Sequence, residues 1–93
     1  MEITEKVVQQ VWEKAIVFAP ETKNDWRKDV QFSFIKRSDF NNFDSEYGWV
    51  IDLIDISGRV EIENFRPMQW RNIKRSNIQT QNKSVILEKG LRN

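Results

Sequence analysis

The stretch YGWVIDLIDISG, residues 47–58, decides the fold that we expect for this chain. Residues 49–54 within it are almost continuously apolar, and a short apolar run bounded by turn residues is typical of a β-strand. Asp52 is the one charged residue in that run. Ser57 and Gly58 then break the strand. We therefore predict a strand over residues 49–54 that carries a carboxylate among apolar neighbours.

An amphipathic helix and another strand are predicted before this stretch. Residues 3–17 place apolar side chains at helical spacing, with charged and amide side chains between them. Thr4 is expected to cap this helix, and Glu5 in the first turn suits the helix dipole. Pro20 ends or follows the helix. Residues 30–36 are rich in apolar side chains around polar ones and predict a strand.

The segments after the central strand give less regular patterns. Residues 60–65 fit either a short strand or the start of a helix. Pro67 is typical of a first helical turn, so we expect a short basic helix over residues 68–76. The tail, residues 78–93, is polar apart from residues 84–88, which fit a last strand or a docked extended segment.

The predicted fold class is α+β, with an N-terminal helix, a β-hairpin and a short C-terminal helix. A chain of 93 residues is expected to form one domain, 1–93, with a core of about residues 12–77 and an extended tail, 78–93. No apolar run approaches the ~18–20 residues of a membrane span, and no signal sequence is recognisable. We therefore expect a cytoplasmic protein that has no membrane partner.

The chain has no cysteine and no histidine. This composition excludes disulfides, thiol nucleophiles and Cys/His zinc sites. It also removes the side chain that most often acts as a general base near neutral pH. A metal site would need carboxylate, amide and carbonyl oxygens, which suit Mg²⁺, Mn²⁺ or Ca²⁺.

The net charge of +1 hides an uneven distribution. Residues 39–63 contain seven acidic side chains against Arg59 alone, whereas residues 64–87 contain five basic side chains and no acid. Two interpretations stay open for this pattern. One is a basic surface that binds a polyanion, and the other is a pair of opposite surfaces that attract each other or are only solvated.

Five short motifs follow one another along the chain. They are W-E-K-A at 12–15, R-K-D at 27–29, I-K-R-S at 35–38, Y-G-W-V-I-D-L at 47–53 and N-F-R-P-M-Q-W at 64–70. In this order the chain resembles, from Trp12 to Asn77, one branch of the HNH endonuclease domain, a small domain of bacterial type. The resemblance implies a ββα-metal core, in which a β-hairpin and a helix hold one divalent cation.

The residue that matters most to catalysis in that family is missing. The resemblance makes Asp52 a metal ligand and puts the general base, a histidine, at the position of Leu53, which cannot accept a proton. The second metal ligand falls on Ile73, or on Asn72 if the closing helix is one residue shorter. Loss of a positioned general base costs on the order of 10²–10⁴ in rate.

We therefore interpret the chain as a catalytically inactive pseudo-nuclease, assign no catalytic residue and expect no enzyme activity. A residual metal-dependent nuclease stays open as an alternative. No cofactor is expected beyond weak Mg²⁺ at a vestigial site formed by Asp52 and Asn72. The alternative role for Asp52 is an inherited carboxylate that pairs with arginine or lysine, or accepts backbone N–H bonds. Leu53 is expected to pack in the core.

Nucleic acid, with DNA as the first candidate, is the partner that the resemblance implies for the basic segment. The alternative is a protein partner that contacts the acidic region 39–63 or an apolar patch near Phe40 and Phe43. Asn64 is expected to tie the end of the hairpin by side-chain hydrogen bonds. Trp12, Trp49 and Trp70 are expected in the core rather than stacked on bases. The predicted phosphate contacts are Arg66, Arg71, Lys74 and Arg75 on the closing helix, extended by Lys36 and Arg37.

Overall fold

The computed structural model describes residues 1–73, and its α+β fold confirms the predicted class. One helix and two antiparallel β-hairpins are joined by loops and single 3-10 turns. In chain order the elements are α1 (Glu5–Trp12), β1 (Trp26–Lys28), β2 (Phe34–Lys36), β3 (Trp49–Leu53) and β4 (Phe65–Gln69). No helix within the described residues is long and apolar enough to cross a membrane.

Helix α1 begins where the sequence predicts and ends earlier. Thr4 caps it, because its Oγ1 accepts the Val7 N–H at 3.2 Å. The predicted end at residue 17 is wrong, since α1 ends at Trp12. Ile16 instead pairs with Lys28 by two backbone hydrogen bonds of 2.8 and 3.0 Å. These bonds to β1 satisfy backbone groups that a longer helix would have used.

The core lies between α1 and the β3–β4 hairpin. Trp12 and Trp49, both fully buried, pack with 5.3 Å between ring centroids. Ile35 and Phe65 are fully buried beside them, and Leu53 is 4% exposed in the same cluster. The predicted core positions of Trp12, Trp49 and Leu53 are therefore confirmed.

The first hairpin differs from the predicted strand over residues 30–36. Strand β2 covers only the end of the predicted segment, and β1 was not predicted. The Asp29 carboxylate accepts the backbone N–H groups of Gln31 and Ser33 at 3.0 and 2.9 Å, which closes a turn. Phe32 takes the left-handed conformation, with φ of 66°, inside that turn. Side-chain hydrogen bonds to the backbone thus replace the first half of the expected strand.

The second hairpin confirms the strand at residue 49 and overturns the predicted helix start at Pro67. Strand β4 pairs with β3 so that Pro67 lies opposite Ile51. A two-stranded sheet tolerates proline because each strand has a free edge. Up to residue 73, where the description ends, a single 3-10 turn, Trp70–Asn72, follows β4. The rest of the predicted helix, from residue 74, and the tail lie outside the described residues.

Candidate nucleic-acid interface

The β1–β2 hairpin has an exposed face on which cations pair with aromatic rings. Its register pairs Trp26 with Lys36 and Lys28 with Phe34, and directly paired residues lie on the same face. The Lys36 ammonium lies 5.5 Å from the Trp26 ring centroid, and the Lys28 ammonium 4.8 Å from that of Phe34. Ile35, between two of these residues, enters the core instead. Each cation–π contact is worth about 0.5–1 kcal/mol at an exposed site.

Two more rings extend this face. Phe18 packs edge-on against Phe34 with 5.2 Å between centroids, and Tyr47 packs edge-on against Trp26 with 5.0 Å. We call Phe18, Trp26, Phe34 and Tyr47 the aromatic strip. Trp26 is half-buried, whereas the other three rings are exposed. Exposed apolar groups that adjoin one another mark interaction surfaces more often than single ones do.

A groove of about 350 Å³ adjoins the aromatic strip. Phe34 and Tyr47 line it, and Phe32 adds a ring whose residue is 68% exposed. Arg71 also lines the groove, and its guanidinium carbon lies 5.0 Å from the Trp70 ring centroid. This volume is at the lower end of the ~300–1,000 Å³ typical of small-molecule sites. The other lining residues are Ser33, Glu46, Gln69 and Asn72.

A buried carboxylate fixes the polar side of this groove. Asp29 is 0% exposed and, besides the N–H groups of Gln31 and Ser33, accepts the backbone N–H of Gln69 at 2.9 Å and the Asn72 Nδ2 group at 2.8 Å. Hydrogen bonds to an ionised acceptor are roughly twice as strong as neutral ones. Asp29 therefore joins the β1–β2 turn to the end of β4 and fixes the groove between them.

The same contacts orient the Asn72 amide. Its Nδ2 donates to the Asp29 carboxylate and, at 2.9 Å, to Ser33 Oγ. Both amide protons are thereby used, and an ionised carboxylate can only accept. Within residues 1–73 no donor bonds to Asn72 Oδ1. The groove thus has one amide oxygen able to accept a hydrogen bond from a ligand.

Two of the predicted phosphate contacts bond elsewhere in the fold. Arg37 donates through Nε to Gln9 Oε1 at 2.9 Å and pairs with the Glu5 carboxylate, so it ties β2 to α1. Arg66 Nε lies 3.0 Å from Asp52 Oδ2, across the β3–β4 ladder. Both guanidinium groups therefore have protein partners.

Two other predicted phosphate contacts, Lys36 and Arg71, lie at the aromatic strip and at the groove beside it. Lys36 and Arg71 form no ion pair with a carboxylate within residues 1–73, and each cation lies over an aromatic ring. Lys74 and Arg75 lie outside the described residues. Among the described residues, Arg71 lines the groove, and Lys28 and Lys36 lie over rings of the adjoining aromatic strip.

The two predicted metal ligands do not share a site. The Asp52 residue is 3% exposed and its carboxylate faces the Arg66 guanidinium. Asn72 follows the opposite end of the hairpin, where Gln69 pairs with Trp49. Asp52 lies three positions along the strand from Trp49, which is about 10 Å. The described residues contain no group of three or more acidic side chains that could hold a metal ion. The fold therefore does not bring Asp52 and Asn72 together, and the Mg²⁺ site stays a prediction.

The loop between β3 and β4 has its own polar anchor, as predicted. Asn64 Nδ2 donates to the Asp55 and Arg59 carbonyl oxygens at 2.9 Å, and Asn64 Oδ1 accepts the Asp55 N–H at 2.9 Å. The Ser57 hydroxyl and backbone N–H donate to the Asp55 carboxylate and lower its pKa. This anchor closes the loop without reaching the groove.

The alternative apolar patch near Phe40 and Phe43 is not an exposed pair. Phe40 is partly buried against the core, with its centroid 4.9 Å from that of Trp49. Phe43 stacks on Trp70 with 5.7 Å between centroids, which leaves Trp70 at the edge of the core rather than inside it. Phe43 is nevertheless exposed, as are Phe18, Phe34 and Tyr47 of the aromatic strip.

Sequence reasoning missed most of this surface. Trp26, Lys28 and Phe34 alternate with buried residues in two three-residue segments, WRK and FIK. That alternation is the signal that could have shown β1, but three residues are too few for a periodicity to be decisive. Asp29 belongs to the R-K-D motif, yet nothing local indicates its bonds to residues 40 and 43 positions further along.

Comparisons of the chain with known protein families, with curated proteins and with solved structures find no match.

Proposed function

We propose that this protein is a catalytically inactive, HNH-like module that binds nucleic acid through the face formed by Lys28, Lys36 and Arg71. The observation that carries the proposal is the placement of these three cations over aromatic rings, with Arg71 lining the groove and Lys28 and Lys36 over rings of the adjoining aromatic strip. Ammonium and guanidinium groups neutralise phosphates, and aromatic faces stack on bases. Nucleic acid carries phosphates and bases close to each other, so one strand can contact the cations and the rings together.

The residue at the position of the family's general base supports the proposal that the module is catalytically inactive. Leu53 is buried in the core, and the chain contains no histidine to replace the missing base. Asp52, the proposed inherited metal ligand, pairs with Arg66. A guanidinium there offsets the negative charge but supplies no activated water. Hydrolysis of a phosphodiester is therefore not part of the proposal.

The first test measures binding of labelled DNA to the full chain by fluorescence anisotropy at 50 and 200 mM salt, followed by a denaturing gel. We expect binding that weakens with salt and DNA that stays intact. Three phosphate contacts predict a log–log salt slope of about −2 for a single strand, which is roughly a 20-fold loss between the two concentrations.

Charge-matched variants localise the interface. Lys36→Gln and Arg71→Gln should each weaken binding and make the slope shallower by about 0.7. Lys6→Gln on α1 and Arg59→Gln in the β3–β4 loop remove the same charges from other exposed positions. Equal losses in all four variants would mean that only net charge matters, which contradicts the proposed face. Cleavage of the DNA that Asp52→Ala abolishes would contradict the inactive assignment.

A protein-interaction module is the second candidate, because exposed apolar side chains adjoin the same face. Phe32 is exposed in the groove that adjoins the face, and Val17 and Val30 are exposed as well. A protein partner would bury these side chains, and such a contact would depend little on salt. Absence of nucleic-acid binding at 50 mM salt would favour this candidate over the first.

A further inference from the structure

The groove and the aromatic strip form one continuous surface, because Phe34 and Tyr47 belong to both. Rings therefore continue from Phe18 through Phe34 into the groove, and from the groove through Tyr47 to Trp26. Cations accompany this surface at Lys28, Lys36 and Arg71. A ligand that follows it meets flat apolar faces and positive charges in turn.

The groove itself combines three kinds of contact. Phe32, Phe34 and Tyr47 provide ring faces or edges, Asn72 Oδ1 can accept a hydrogen bond, and Arg71 brings a positive charge. A planar group with polar edges, attached to an anionic chain, matches this set. The volume of about 350 Å³ leaves room for such a group but not for a helix or a duplex.

A nucleobase can enter such a groove only when it is unstacked. In a duplex, each base face is covered by its neighbours and each pairing edge is occupied, so side chains cannot stack on it. In a single strand, bases turn outward and stack on aromatic side chains, while cations follow the phosphates. The aromatic surface therefore distinguishes between the two forms.

We propose that the groove binds single-stranded nucleic acid, with one unstacked base against Phe32, Phe34 and Tyr47 and neighbouring phosphates at Lys36 and Arg71. This inference rests on the proposed nucleic-acid binding and narrows it to a strand form. The Asn72 amide oxygen accepts a hydrogen bond from the base. Asp29 holds that amide in place and does not contact the ligand.

Phe32→Ala in the full chain tests the inference. Its ring is the most exposed of those in the groove and lies in a turn, so its removal should leave the fold unchanged. Ile54→Ala, at an exposed apolar residue in the β3–β4 loop, is the matched control. Thermal unfolding of both variants shows that they are folded before binding is compared.

The probes are labelled 12-mers of dT and dA and a 12-base-pair duplex, each titrated at 50 mM salt. We expect the single strands to bind more tightly than the duplex. Phe32→Ala should weaken single-strand binding by about 5- to 150-fold, the range for loss of one base–aromatic stack. The duplex should be unaffected by Phe32→Ala, and Ile54→Ala should change neither probe.

The contrary results separate the two proposals. Duplex binding as tight as single-strand binding, with no effect of Phe32→Ala, overturns the single-strand inference and leaves nucleic-acid binding standing. An equal loss on both probes also overturns it, because the ring would then act without recognising an unstacked base. No binding of any probe overturns both proposals and directs the search to a protein partner.

Discussion

The Asp29 carboxylate connects the two hairpins by hydrogen bonds. Its four hydrogen-bond donors come from the β1–β2 turn, from the end of β4 and from the turn that follows β4. The carboxylate is buried and has no cationic partner within residues 1–73, so N–H groups alone balance its charge. Each such bond to a charged group contributes about 1.5–3 kcal/mol.

Asp29→Asn should lower the free energy of unfolding by about 2 kcal/mol or more. An asparagine has one acceptor oxygen, so its amide group would face donors that need an acceptor. Urea unfolding measures the loss, and Asp25→Asn, at an exposed neighbouring position, is the control. Equal small losses in the two variants would show that Asp29 does not organise the groove.

Gly48 is required for space rather than for backbone conformation. A Cβ atom there would lie 1.8 Å from the Asn42 carbonyl oxygen, which is backbone and cannot turn away. Gly48→Ala should therefore destabilise the fold by about 2 kcal/mol or more. In Gly58→Ala the nearest atom, at 2.9 Å, is the Asn64 side-chain nitrogen, so a smaller loss is expected. Thermal unfolding compares them, and a loss in Gly48→Ala no larger than in Gly58→Ala would contradict this reason.

At the scale of elements, the cross-strand pair of Asp52 and Arg66 is the feature of β3–β4 that the family resemblance does not explain. A strand buried along its whole length carries one carboxylate, and the facing strand supplies the guanidinium at 3.0 Å. A pattern in one strand cannot indicate this partner, because the register of β4 depends on the loop and on which side chains it buries.

Arg66→Met should reduce the free energy of unfolding by about 2 kcal/mol, because it leaves a buried charge unpaired. The loss should be below the ~3–5 kcal/mol of a fully buried pair, since the Arg66 side chain is 30% exposed. The double variant with Asp52→Asn should recover part of it, and a urea double-mutant cycle gives the coupling. Additive losses would argue against the pair. Stabilisation of Arg66→Met by Mg²⁺ would instead show that Asp52 can bind metal.

The sequence predicted some elements well because their signals are local. The Thr4 cap and the apolar stripe of α1 lie within one segment, as does the apolar run of β3. It failed for β1 and for Pro67, where the deciding contacts are to Lys36 and to Ile51. Pairing between strands overrides the local preference of proline for a first helical turn.

At the scale of the whole molecule, the arrangement of charge bears on the sign of the ligand. Removing one negative charge beside the groove would strengthen binding of a polyanion and weaken binding of a polycation. The net charge is only +1, so no strong overall field favours either ligand. Arg71 lines the groove and Lys28 and Lys36 lie over rings of the adjoining aromatic strip, but the exposed residue Glu46 also lines the groove. A substitution of Glu46 therefore tests whether the ligand is negatively or positively charged.

Glu46→Gln should tighten single-stranded DNA binding by about twofold at 50 mM salt, because it removes a charge that repels phosphates across solvent. The control is Glu61→Gln, at an exposed position in the β3–β4 loop, which should leave affinity unchanged. Anisotropy titrations measure both. Weaker binding in Glu46→Gln would mean that the carboxylate recognises the ligand rather than repels it.

The sequence by itself determined the chemistry that this protein lacks and the type of fold. Absence of histidine and cysteine removes the usual general base and thiol chemistry, and local periodicity gave α1 and β3. Only the tertiary structure decided where the proposed nucleic-acid surface lies. The pairing of Trp26 with Lys36, the bonds from Asp29 to Gln69 and Asn72, and the neutralisation of Asp52 by Arg66 all join segments distant along the chain. Local patterns carry no information on such contacts, because burial and strand register bring them together only when the chain folds.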